Sequence, residues 1–125
     1  MPNLFLVMLG GAVGAGARHL VGRATLAWWG PGYPWGTLAV NVLGGFAMGL
    51  LVGNLSRFGN GGETWRLLLG VGVLGGFTTF SAFSLDVVLM MERGALPMAL
   101  GYILISVLGA LVALMAGLSL TRAVA

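Results

Sequence analysis

Four apolar stretches, each of about 20 residues and so each able to cross a bilayer as a helix, occupy most of this 125-residue chain. They run from about Leu4 to Val21, Gly36 to Leu55, Leu67 to Met91 and Met98 to Leu120. Charged residues make up 7% of the chain, against about 25% in soluble domains. No polar coat can be assembled from so few. The chain reads as an all-α membrane protein, a single four-span domain covering residues 1–125.

The linkers carry the helix breakers. Trp28 to Trp35 combines glycines and prolines with interface-seeking aromatics. Ser56 to Arg66 contains the turn Gly59-Asn60-Gly61-Gly62, and Glu92 to Pro97 closes the third span. The N-terminus lacks the basic start of a signal peptide, and Arg18 follows its apolar run. It reads as a retained first span. Cysteine is absent, which excludes thiol and cysteine–metal chemistry. All six basic residues are arginines, scattered and not clustered, so nucleic-acid binding has no support.

Counted by side, Arg57, Arg66 and Arg122 oppose Arg18, Arg23 and Arg93. This balance gives no orientation under the positive-inside rule. Either another feature orients the chain, or it inserts both ways and pairs with an inverted copy. Four thin helices leave little room for a pore, so an oligomer is expected, most simply a two-fold dimer.

Small residues recur four apart: Gly10 and Gly14; Gly45, Gly49 and Gly53; Gly72 and Gly76; Gly109, Ala113 and Gly117. Such spacing marks faces where helices approach closely. Asn41 lies on the second of these faces. An amide in mid-membrane needs partners. It serves either an interhelical hydrogen bond or a polar path.

The third span holds Gly75-Gly76-Phe77-Thr78-Thr79-Phe80-Ser81-Ala82-Phe83-Ser84. Glycine and β-branched threonine are poor helix formers, which predicts a break near Gly75 to Thr79. Freed carbonyls there suit a cation, and freed amides an anion. The alternative is a kink whose hydroxyls bond back to the helix. Phe80 and Phe83 share a face. They either fill packing gaps or offer the positive ring edge to an anion. Tyr102 and Ser106, one turn apart, are either packing residues or a polar track. Asp86 is the deepest carboxylate, and His19 has no second histidine with which to bind metal. No nucleophile–base pair or phosphate loop is present, so catalysis has no support.

Three stretches together resemble the Fluc/CrcB family of small fluoride channels: Gly10 to Arg18, Gly36 to Gly44, and Gly75 to Phe83. The resemblance spans nearly the whole chain. It implies an antiparallel, dual-topology homodimer in a prokaryotic plasma or inner membrane, with two pores that let fluoride leave the cytoplasm passively. It implies pore roles for Asn41, Phe80 and Phe83, and a polar track of Tyr102, Ser81, Ser84 and Ser106. It also implies an anion vestibule at Arg18 and a structural sodium (Na+) on backbone carbonyls around Gly75 and Thr78. His19 and Ala82 stand where the family often has tyrosine and threonine. Two other classes compete. A small dual-topology drug exporter needs a carboxylate in its first span, and this chain has none there. A non-transporting scaffold would leave Asn41, Thr78, Thr79 and Tyr102 without a reason.

Overall fold

The computed structural model describes residues 2–55 and 62–124. Among them, four helical stretches are long and apolar enough to cross a membrane: Asn3–Trp29, Trp35–Leu55, Gly62–Glu92 and Leu96–Ala123. Arg57 and the Gly59–Gly61 part of the expected turn lie outside the described residues.

The first helix, α1 (Pro2–Trp29), runs eight residues past the expected end at Val21. Nothing between Gly22 and Trp29 stops it, since alanine, leucine and arginine are good helix formers. It ends where Gly30 adopts φ +75° and donates its N–H to the Leu26 carbonyl at 2.9 Å. This is a left-handed glycine cap, and Pro31 follows it. Arg23, expected beside the first loop, therefore sits inside a helix, as does Arg18 within the expected span.

The second helix, α2, covers Trp35–Leu55. The third span is composite. A short α3 (Gly62–Trp65) leads into a π-helical segment, Arg66–Leu74, and then α4 (Gly75–Phe77). Thr78 is extended at φ −84° and ψ 159°, and α5 resumes over Ser81–Glu92. The break expected near Gly75 to Thr79 is present, at residues 78–80, in the later part of that stretch and one residue past it. Gly75 and Gly76 stay helical, with α1 packed on Gly76 at Gly11 and Ala15, and the chain opens only at the two threonines. The π-helical segment had no signal in the residue pattern. Gly94, at φ +79°, ends α5, and α6 (Leu96–Ala123) starts with Pro97 in its first turn.

Two backbone-close pairings organise the subunit. The first joins α1 to the third span. A Cβ on Gly14 would run into the Val73 carbonyl oxygen and come within 2.8 Å of the Phe77 nitrogen. A Cβ on Gly76 would come within 2.6 Å of the Gly11 oxygen. The second joins α2 to α6. Gly45 lies against Ala110, Gly49 against Leu114, and Gly117 against the Phe46 carbonyl. With lipid as solvent, such close packing replaces the hydrophobic effect as the force holding helices together. The outside is apolar, as lipid requires: Leu9, Val13, Leu104, Leu108, Val112 and Met115 are exposed.

Candidate functional site

The site is built on the break. In an uninterrupted helix the Thr79 N–H would reach the Gly75 carbonyl, and the Ala82 N–H the Thr78 carbonyl. Here the Thr79 N–H donates to Asn41 Oδ1 at 2.8 Å. The Ala82 N–H donates to Thr79 Oγ1 at 3.2 Å, making Thr79 the cap of α5. Asn41 Nδ2 donates to the Thr79 carbonyl at 2.9 Å, and Arg18 Nε donates to the Gly76 carbonyl at 3.1 Å. Thr78 bonds back, its hydroxyl and its N–H both reaching the Leu74 carbonyl at 3.0 Å. Three side chains thus satisfy backbone groups that lipid could not. The Gly75 and Thr78 carbonyls are left without their usual helical donors.

A groove of about 360 Å³ opens beside the break, lined by Asn41, Thr79, Phe80, Phe83 and Ser106 among others. Gly44 and Gly45 form its floor. A Cβ on Gly44 would collide with the Thr78 methyl, so glycine there is what seats the break against α2. Phe80 stands 77% exposed at the mouth of the groove, its ring centroid 5.6 Å from that of Phe83. Ser106 Oγ is buried with no hydrogen-bond partner, although a buried hydroxyl normally has one. Five of the expected site residues, Asn41, Thr78, Phe80, Phe83 and Ser106, therefore line one groove.

The remaining expected residues lie elsewhere. The Ser84 hydroxyl donates back to the Phe80 carbonyl at 3.0 Å. The Ser81 and Thr79 hydroxyls are 3.4 Å apart. Tyr102 is fully buried, and its hydroxyl donates to the Asp86 carboxylate at 2.9 Å. Its ring continues the aromatic series, 5.3 Å from Phe83 and 5.5 Å edge-on from Tyr33. Tyr33 meets Trp35 in turn, the rings tilted at 49° with centroids 4.8 Å apart. Burial raises the Tyr33 phenol above its ordinary value, since desolvation disfavours the charged form. An unbroken row of rings thus leads from the first loop to Phe80. Arg18 lines a separate cavity of about 310 Å³ with His19, Arg23, Thr37 and Thr79. Thr79 borders both spaces.

From the sequence Thr79 was read only as part of the break and Tyr33 only as one of the linker aromatics, and neither was given a site role. Threonine is a favoured N-cap residue at the start of a helical run and so points to Thr79, a weak signal here because the Glu or Gln of a capping box is missing at Ala82. Nothing local points to Tyr33, whose role comes only from contact across the fold.

Four apolar helices with an interrupted third span and a groove at the interruption define a multi-pass membrane protein built around a polar break. The chain belongs to the CrcB family: residues 5–118 match the family described as CrcB-like protein, Camphor Resistance (CrcB). It is 62% identical over 122 residues to the "Fluoride-specific ion channel FluC" of Sphingopyxis alaskensis, covering 98% of this chain and 97% of that one. It is 62% identical over 125 residues to the protein of the same name from Phenylobacterium zucineum, covering 99% and 98%. The FluC of Caulobacter vibrioides strain NA1000 / CB15N is 54% identical over 125 residues. The family is one of ion channels, not enzymes.

Proposed function

We propose that this protein is a fluoride-selective channel that lets fluoride leave the cytoplasm passively, as an antiparallel dual-topology homodimer with two pores. The observation that carries the reading is the groove at the break. It combines an amide, an orphaned buried hydroxyl and two phenyl rings in a chain whose relatives are named fluoride-specific channels.

The chemistry follows from fluoride's size and strong hydration. Water must be replaced by donors that do not hold the ion too tightly. Asn41 uses one Nδ2 hydrogen on Thr79 and has a second to offer. Ser106 brings a hydroxyl, and Phe80 and Phe83 present positive ring edges. Tyr102, Ser81 and Ser84 extend the polar track, and Arg18 with Arg23 makes an electropositive mouth. Hydrogen fluoride enters cells as a neutral acid and ionises inside, so a passive leak for the anion relieves its accumulation.

The Gly75 and Thr78 carbonyls suit a structural sodium, because hard cations take oxygen ligands and these two oxygens lack helical donors. Two such carbonyls from an inverted copy would complete the set. A dimer also answers the open groove, since one subunit leaves Phe80 largely uncovered. The balanced arginines fit dual insertion.

The test is efflux from liposomes holding the purified protein. Fluoride is expected to leave rapidly and chloride to stay behind. Equal release of both anions, or of neither, would sink the reading.

A further inference from the structure

We infer that Arg18 is a positioning residue of the anion path: by taking the Gly76 carbonyl, its guanidinium sets the geometry of the break that carries Thr79 and Phe80. The inference rests on the proposed channel function and adds to the vestibule role a second one that charge alone does not supply.

Gly10, Gly14 and Arg18 are spaced four apart and lie along one face of α1. The two glycines bring that face into backbone contact with the third span, Gly10 against Leu68, Gly72 and Val73, and Gly14 against Val73 and Phe77. One turn further on, the same face meets the break. There the third span has lost its own hydrogen-bonding ladder, and Arg18 Nε supplies the missing donor to Gly76 at 3.1 Å. A guanidinium hydrogen bond to a carbonyl is charge-assisted and stronger than a neutral one. From α2, Asn41 grips Thr79, three residues later, at 2.8 and 2.9 Å. Arg18 and Asn41 therefore hold the two ends of the Gly76–Thr79 turn from two different helices.

Arg18 is only partly buried. Among the described residues its Nη groups have no protein acceptor, and the side chain lines the cavity it shares with His19, Arg23 and Thr79. One planar group thus faces the water-accessible mouth on one edge and fixes the backbone on the other. Lysine could keep the charge at the mouth. Its flexible ammonium is a point charge and cannot reproduce the rigid Nε geometry.

Liposome efflux of the full-length protein separates the two roles. Arg18→Lys is expected to slow fluoride efflux about tenfold, the scale of one lost charge-assisted hydrogen bond. Arg18→Ala is expected to be slow as well, and to recover in sub-denaturing guanidinium but not in methylammonium, which carries the same charge without the planar fork. Wild-type efflux in Arg18→Lys, equal recovery with both cations, or recovery with neither would overturn the inference. If Arg18→Ala aggregates on purification, the same comparison is made on its recovery as dispersed protein. Rescue by guanidinium alone supports the role, and aggregation in both salts refutes it. Each variant is scored against wild type on whichever anion the wild type passes. A failure of fluoride selectivity therefore stays distinguishable from a failure of Arg18 as a positioning residue.

Discussion

Asn41 grips Thr79 by both of its backbone groups: the Thr79 N–H donates to Oδ1 at 2.8 Å, and Nδ2 donates to the Thr79 carbonyl at 2.9 Å. The amide replaces the helix's own ladder at the point where the third span opens, and it does so from α2. It therefore fixes the break and, through its second Nδ2 hydrogen, is poised over the groove.

Asn41→Ala should remove both bonds and orphan two backbone groups, each costing about 1–3 kcal/mol when left buried. Fluoride efflux is expected to drop about tenfold or more, since a single misplaced donor costs that much. Efflux at the wild-type rate would reduce Asn41 to a packing residue.

Phe80 and Phe83 stand 5.6 Å apart at the groove. Phe80→Ile and Phe83→Ile keep apolar bulk but remove the ring edge that an anion can use. Each is expected to impair fluoride efflux while the protein still elutes at the wild-type size. If both variants conduct normally, the aromatic slot is not the path.

Gly49 gives a prediction of sign. Alanine is the better helix former by about 1 kcal/mol. A Cβ at position 49 would nevertheless strike the Leu114 carbonyl and lie 3.0 Å from the Leu118 nitrogen. Backbone atoms cannot swing aside, and overpacking of this kind costs about 1–3 kcal/mol. Gly49→Ala should therefore lower the thermal midpoint in detergent, and a rise would show that α2 and α6 are not so closely apposed.

Tyr102→Phe keeps the ring between Tyr33 and Phe83 but withdraws the hydroxyl from Asp86, 2.9 Å away. Thermal stability should fall. Adding Asp86→Ala to that variant should cost less than Asp86→Ala alone, with a coupling of about 0.5–3 kcal/mol. Additive losses would mean that the two side chains do not depend on each other.

Much of this protein was legible in the residue pattern because lipid imposes simple rules. A span must be long and apolar, and close helix contact needs small residues. These rules located all four helices and the glycine faces of α1 and α2. Helix ends were less legible. The apolar run was read as ending near Val21, yet the helix continues until Gly30 supplies a left-handed cap. The break was anticipated from glycine and threonine propensity, and it falls on the threonines but not on the glycines. Close packing of Gly76 on Gly11 keeps that part helical.

The sequence by itself determined the solvent, the number of spans and the residue types available for a polar path, since each depends on composition and local spacing. Only the tertiary structure decided where those residues act. It brought Asn41 to Thr79 and Arg18 to Gly76, across 38 and 58 residues of chain. It also directed Tyr102 to Asp86 and left Ser106 facing the groove without a partner. A backbone group freed in the membrane must be satisfied by whichever neighbour the packing supplies, and that neighbour is set by contact between helices, which local pattern does not encode.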